Sequence, residues 1–442
     1  MTAAALSPAA LFAPDRVAAA LRAAAPQRLG RVTELRGLHM TVTGLDSAVG
    51  DMLEVLGPRP VGVEVAASTR TGLVCLPMGD TRGLKVGALV RDTGGPLTIP
   101  VGPGLRGRVL DGLGRPIDSG PPLRDVAWVT VDNRAPSPMT RPRITEQVSL
   151  GVRALDTLVP CGRGQRLGIM AGSGVGKSTL LSMAARGTDA AISVIALVGE
   201  RGREVREFLD VDLGPEGLSR SVVVVATSDA PPVERLRAAF AATRIAEWFR
   251  DTGDDVLLMM DSLTRVAMAQ REVGLSAGEP PATRGYPPSV FALLPRLLER
   301  AGAAETGSIT GLYTVLIEGD DLQDPVGDTA RSILDGHIVL SRRLATAGHY
   351  PSVDVLESSS RVASAVTDPA QRSDAQTLRR LLAAHREVRE LVEIGAYVGG
   401  SDADADRALA LAPHIDAFLR QPLGEVTTAA DAWARLRELV AP

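Results

Sequence analysis

Lys177 closes the run Ala171-Gly172-Ser173-Gly174-Val175-Gly176-Lys177-Ser178-Thr179. A glycine-rich turn ending in a lysine and two hydroxyls is a phosphate cradle. The turn brings backbone N–H groups close to an anion, the ammonium reaches the terminal phosphates, and a hydroxyl is left for Mg²⁺. Lys177 also stands out by composition. The chain has 48 basic residues, of which only Lys85 and Lys177 are lysines. A compact ammonium fits a narrow glycine turn where a planar guanidinium does not, so Lys177 is a position where the two cations are not interchangeable. The strict motif begins with glycine, and Ala171 stands in that place.

Two acidic residues could complete such a site. Asp261 ends the apolar run Val256-Leu257-Leu258-Met259-Met260. A carboxylate at the carboxyl end of a buried parallel strand faces the ligand crevice, where it can hold a metal's water shell. The same residue could instead cap the helix expected from Ser262. Glu200 follows another apolar strand, in Gly199-Glu200-Arg201-Gly202-Arg203-Glu204. It could polarise an attacking water. On spacing alone, that role and a solvated charge cluster at a helix start both remain open.

The elements needed to position these groups are legible. Buried strands are expected at 165–170, 192–198, 221–226, 256–260 and 309–317. Helices are expected at about 177–186, 203–210, 232–250 and 262–273. This alternation predicts an α/β domain with a parallel sheet. Before it, short alternating strands near 30–33, 40–44, 61–65 and 72–76, punctuated by glycine, predict a small β-barrel. A Pro- and Arg-rich stretch at 132–144 reads as an extended connector. From about 363 onward Leu378, Leu381, Leu382, Val388, Leu391 and Val392 recur at helical spacing. The expected division is a helical arm at 1–27, a barrel at 28–98, a P-loop domain at 99–362 and a helical domain at 363–442.

Composition excludes several classes. Net charge is −4, which gives no global attraction to nucleic acid or anionic lipid. Cys75 and Cys161 have no metal or redox spacing and read as reduced core thiols. No apolar run is long enough to span a bilayer. The arm lacks the basic start of a secretory signal. Val17 and Leu21 share a face within it, which suits either local packing or docking.

Several long motifs carry a resemblance. Cys161-Gly162-Arg163-Gly164-Gln165-Arg166-Leu167-Gly168 through the P-loop, Gly199-Glu200-Arg201, Asp261-Ser262-Leu263-Thr264-Arg265 and Gly348-His349-Tyr350-Pro351-Ser352-Val353-Asp354 are among them. So is Gly278-Glu279-Pro280-Pro281-Ala282-Thr283-Arg284-Gly285-Tyr286. From about residue 30 to the end, the chain resembles the catalytic β subunit of rotary ATP synthases and, more closely, the flagellum-specific ATPase of the type III export apparatus. The first thirty residues match only loosely. The resemblance implies a RecA-like core that binds ATP and Mg²⁺. Gly172 to Thr179 would hold phosphate, Ser178 and Asp261 the metal, and Tyr350 would stack on adenine. Lys177, Glu200, Arg201 and Arg265 would act at the γ-phosphate, and Arg361 would be a finger reaching the neighbouring subunit. Val266 stands where the family often has an aromatic, and Gly327 where it usually has alanine.

The resemblance also implies partners: a homohexamer, a regulator on the arm, a central stalk-like protein, and an export gate with its substrate–chaperone complexes. It implies a cytoplasmic protein docked on the inner face of the membrane. A virulence injectisome ATPase is the near alternative. The stretch Glu318-Gly319-Asp320-Asp321, the Arg342-Arg343 pair and Gly400-Ser401-Asp402 look flagellar. A noncatalytic subunit of the same superfamily would lack the carboxylate at Glu200. A Rho-type RNA motor also joins a small barrel to this core, but a barrel that grips single strands needs stacking aromatics and a basic groove. Residues 1–98 hold only Phe12, and ten basic against eight acidic side chains. No nucleic-acid partner is expected.

Overall fold

The computed structural model describes Val17, residues 28–317 and residues 324–441. The arm at 1–27, apart from a helical and exposed Val17, and the stretch Glu318-Gly319-Asp320-Asp321 lie outside the described residues. Two compact units divide at Pro96/Leu97.

The first unit is a closed antiparallel barrel. Its strands are β1 (Leu29–Arg36), β2 (His39–Thr43), β3 (Asp51–Val55), β4 (Val61–Thr69), β5 (Gly72–Pro77) and β6 (Leu89–Pro96), in the order β1-β2-β5-β4-β3-β6. Period-two alternation fills it. In β4, Val61, Val63 and Val65 are buried between half-buried neighbours, and they meet Val42, Leu53, Cys75 and Val90 in the core. Burial pushes the Cys75 thiol up to about 12, which suits an inert core residue. Two strands were not expected. The sequence of β6, Leu-Val-Arg-Asp-Thr-Gly-Gly-Pro, reads as loop, yet β6 pairs with both β1 and β3 and closes the barrel. Closure satisfies two edges at once, and that outweighs local propensity.

The second unit is built on a nine-stranded sheet. The strands are β7 (Val109–Asp111), β8 (Arg166–Ala171), β9 (Ile192–Val198), β10 (Ser221–Ala226), β11 (Asp255–Asp261), β12 (Gly302–Ala303), β13 (Ser308–Leu316), β14 (Gly336–Leu340) and β15 (Val353–Ser360). Their order is β15-β14-β8-β13-β11-β9-β10-β7, with β12 paired to β13. Apart from β12 and β15, all pairs are parallel. Successive residues of one strand feed opposite cores. Ile192, Val194, Ala196 and Val198 of β9 enter one, and Ile195 and Leu197 the other. A strand buried on both faces must be apolar throughout, which is why β9 reads as an unbroken run. The five expected strands lie within a residue of their predicted bounds.

Helices cover both faces: α1 (Arg153–Leu158), α2 (Lys177–Gly187), α3 (Pro232–Asp251), α4 (Leu263–Ser276), α5 (Pro288–Leu298), α6 (Pro369–Glu393), α7 (Ala403–Leu419) and α8 (Ala429–Val440). Helices α3, α4 and α5 line the first core, and α2 lines the second with α6, α7 and α8. Val266 is fully buried in the first core, so the place where the family often has an aromatic is filled by a smaller side chain that is still a core residue. Leu378, Leu381 and Val388 of α6 are buried as expected, but Leu391 and Val392 are exposed. Helical spacing aligns a face; it does not say how far along the helix the partner reaches.

Buried Arg153 ties the α7–α8 connection to α1. Its Nε donates to the Phe418 carbonyl at 2.9 Å, and its other nitrogens reach Arg420 O, Thr427 Oγ1 and the Glu425 carboxylate. Gln421 accepts from Arg153 N at 2.9 Å and donates to Gly151 O at 2.7 Å. No helix among the described residues is long and apolar enough to cross a membrane.

Candidate active site

Strand β8 is central and ends at Ala171, which still pairs with Leu316 of β13. Its carbonyl accepts from Ile317 N at 3.0 Å. The first place of the motif is therefore extended strand, where alanine needs no left-handed conformation. This explains why Ala171 is tolerated there. The turn follows, and its left-handed residues are Gly174 (φ 73°) and Gly176 (φ 91°), conformations that cost a residue bearing Cβ about 1–2 kcal/mol. Helix α2 opens at Lys177 with Ser178 and Thr179 in its first turn, so its free N–H groups face the turn.

Lys177 joins three segments. Its Nζ lies 2.5 Å from Asp261 Oδ1 at the end of β11 and 3.2 Å from Glu200 Oε1 beyond the end of β9. Burial works against the ammonium, but Asp261 and Glu200 together outweigh it and hold its pKa above the ordinary lysine value. Burial, and then the charge of Asp261, push the Glu200 carboxyl above the ordinary glutamate range, with Lys177 offsetting part of the rise. Asp261 is 2% exposed and accepts a second bond, from Thr314 Oγ1 at 2.8 Å. It is not the helix cap. Ser262 is the cap of α4, its Oγ accepting from Arg265 N at 3.3 Å. Both carboxylates thus face one ammonium.

Glycine at 199 has a packing reason. Its φ is 73°, and a Cβ there would lie 2.9 Å from Arg265 Cβ. The Arg265 side chain runs across this bare backbone, and its Nε is buried without a hydrogen-bond partner among the described residues. A buried donor with no acceptor is costly unless a ligand supplies one.

Tyr350 reaches the turn from the other side. A Cβ on Gly176 would stand 3.2 Å from its Cε1, and the side chain is 41% exposed, leaving a ring face for a ligand. Ser352 Oγ donates to Val175 O at 2.5 Å, and Gln421 N to Tyr350 O at 2.9 Å.

Two expected residues are not in this cluster. Arg201 turns outward, 77% exposed, and pairs with Glu204 at 3.2 Å. Arg361 lies on the opposite edge of the sheet. Leu340 pairs with Val353 at the P-loop edge, and Gly336 with Ser360 at the other. Four strand steps, roughly 13 Å, separate the two edges. Thr314 went unnoticed in the sequence, and Ser352 appeared there only as part of a motif, with no role of its own. Thr314 had a signal, a hydroxyl inside the otherwise apolar second half of β13 that must find a partner when buried.

Residues 151–360 match the ATP synthase alpha/beta family nucleotide-binding domain, and residues 367–438 match the T3SS EscN ATPase C-terminal domain. The flagellum-specific ATP synthase of Bacillus subtilis is 48% identical over 93% of this chain and 95% of its own length. The chain belongs to the ATP synthase alpha/beta family, among the flagellum-specific and type 3 secretion ATPases. The type 3 secretion system ATPase of Xanthomonas euvesicatoria is 50% identical over 91% of each chain. The assembled ATPase EscN of enteropathogenic E. coli superposes with a TM-score of 0.88 at 44% identity, covering 93% of this chain and all of that one. EscN in complex with its central stalk EscO gives 0.87 at 43% identity, with the same coverage. As a member of this ATPase family, the chain is a nucleotide-binding enzyme that hydrolyses ATP, and the Lys177 cluster lies inside the matched nucleotide-binding domain.

Proposed function

We propose that the chain is the ring subunit of a homohexamer that hydrolyses Mg·ATP at sites between neighbours and energises type III export of flagellar proteins. Substrate–chaperone complexes would be unloaded at an export gate on the inner face of the cytoplasmic membrane, alongside the proton-motive force. One observation carries this reading. A P-loop lysine bridges two strand-end carboxylates beside a buried arginine donor that has no acceptor among the described residues.

Each residue has a role in it. The amides from Gly172 to Thr179 hold phosphate oxygens, and Lys177 neutralises the terminal ones. Glu200 takes or orients the proton of the attacking water. Arg265 gives its unpartnered Nε to phosphate, and Arg201 joins from its exposed position. Tyr350 offers its ring to adenine. The donor set suits Mg²⁺: the buried Asp261 carboxylate and the Ser178 hydroxyl are hard oxygen donors, of which such sites use one or two beside water and phosphate. When bound, the ion would neutralise charge building on the phosphates. Arg361 completes the site of a neighbouring subunit, consistent with its place on the edge away from its own P-loop.

The four segments 1–27, 28–98, 99–362 and 363–442 would serve as regulator-docking arm, ring-forming barrel, motor and stalk-facing region. The stalk partner is inferred from the EscN–EscO complex. Export through an injectisome is the second reading, favoured by the 50% identity to the Xanthomonas relative. Deleting the gene decides between them. Loss of filaments with effector secretion intact supports the flagellar reading, and the reverse outcome replaces it.

A further inference from the structure

Arg361 is built into the amino edge of the sheet by bonds that the proposed reaction does not use. Its N–H donates to Asp335 O at 2.9 Å. The same carbonyl accepts from Gln165 Nε2 at 2.9 Å, and that nitrogen also donates to Ser360 Oγ at 3.0 Å. Gln165 is fully buried, and its Oε1 accepts from Gly162 N at 2.9 Å. Both ends of its amide are therefore used, and the side chain has one orientation. Next in sequence, Arg166 grips the Asp335 carboxylate with two nitrogens, Nε at 3.1 Å and Nη2 at 3.3 Å, and its own N–H bonds the same group at 3.1 Å. Asp335 N returns a bond to Arg166 O at 2.8 Å. The Arg361 guanidinium itself is exposed and donates to Arg331 O at 3.2 Å.

The backbone of Arg361 is thus held through its N–H by Asp335, which Gln165 and Arg166 fix in turn, while its guanidinium faces outward. We propose that Gln165, Arg166 and Asp335 are positioning residues for Arg361, aiming it at the neighbouring subunit's nucleotide. This rests on the reading of Arg361 as a shared finger. The clasp comes from the amino end of β8, whose carboxyl end is the P-loop. One strand therefore holds a subunit's own phosphate cradle and the arginine it presents to another site. A misplacement of about 1 Å at a catalytic group costs on the order of 10²-fold in rate, so a finger on a long flexible stem needs a fixed root.

Asp335→Asn removes the charge gripped by Arg166 at little change in size, and Gln165→Glu replaces the donor to Asp335 O with an acceptor. Assayed at concentrations where the parent forms rings, each should lower kcat by on the order of 10²-fold while equilibrium binding of a fluorescent ATP analogue is kept. The deciding measurement is the same substitution in an Arg361→Ala chain. A positioning residue loses its effect once the group it positions is gone, so Asp335→Asn should cost almost nothing further there. Equal losses in both backgrounds overturn the proposal, because they mark a general structural effect. Parental kcat in both single variants overturns it too. If Arg361→Ala alone keeps the parental rate, the shared-finger reading fails and this proposal with it. If Arg361→Ala falls to a measurable residual rate and Asp335→Asn keeps the parental one, only the clasp fails. Should Gln165→Glu not fold, Asp335→Asn carries the test, its side chain being part-exposed at the turn.

Discussion

The Lys177 ammonium is held 2.5 Å from the Asp261 carboxylate, the group proposed to receive Mg²⁺. The same ammonium lies 3.2 Å from Glu200, so one buried cation serves as counter-charge to both acids. Each group offsets the desolvation of the other, and this is why both can be buried.

Lys177→Ala should abolish hydrolysis and weaken nucleotide binding. Lys177→Arg should fail as well, since the guanidinium would have to fit between Asp261, Glu200 and the glycine turn. Steady-state ATPase assays with an equilibrium binding titration check this. Full activity in Lys177→Arg would disprove the argument from the rarity of lysine.

Glu200→Gln should bind Mg·ATP and turn over ~10²–10⁴-fold more slowly, the usual contribution of a general base. The parent's pH profile follows from the raised Glu200 pKa. A base must be ionised, and burial with Asp261 makes ionisation harder. The rate should therefore fall as pH drops through a value above the ordinary glutamate pKa, and the residual rate of Glu200→Gln should lack that limb. A parental rate in the Gln variant would reduce Glu200 to a structural charge.

Tyr350→Ala should weaken ATP binding, and Tyr350→Phe should be close to neutral, because the ring face and not the hydroxyl makes the contact. Fluorescent-analogue titration reads both. Unchanged affinity in the Ala variant removes Tyr350 from the site.

Arg361→Ala should keep nucleotide and lose ~10³-fold or more of the rate, the scale such fingers supply. Parental activity should rise steeply with protein concentration. Mixing inactive Lys177→Ala subunits with inactive Arg361→Ala subunits should restore a fraction of it, because some interfaces join an intact finger to an intact P-loop. Specific activity independent of concentration, where light scattering reports only monomer, rules out shared sites.

Arg153→Met should destabilise the second unit by about 3 kcal/mol, since it strands several buried acceptors that Arg153 now satisfies. Urea unfolding would show this as a lowered midpoint. Limited proteolysis should cut first beyond Leu419, where those acceptors lie. A midpoint equal to the parent's would mean that water or neighbours replace the guanidinium.

Much of the candidate site was legible because it is local. A strand, a turn that needs left-handed glycines and a helix start occupy consecutive residues around Lys177, and no distant partner is required to specify them. The strand-end places of Asp261 and Glu200 follow from their unbroken apolar runs. Tyr350 and Arg361 were reached only through resemblance, since one tyrosine or arginine carries no periodic signal. Tertiary structure decided whatever depends on a partner far along the chain. It made Asp261 a ligand of Lys177 and Thr314 instead of a helix cap, because sheet order sets β11 two strands from β8, with β13 between them. It turned Arg201 to solvent, and it put Arg361 on the edge away from its own P-loop because β15 runs antiparallel to β14. It made strands of 89–96, which closes the barrel, of 109–111, which ends the sheet beside β10, and of 336–340, which lies between β8 and β15. The clasp of Gln165 and Arg166 on Asp335 spans some 170 residues. Its hydrogen bonds exist only once β8 and β14 lie side by side.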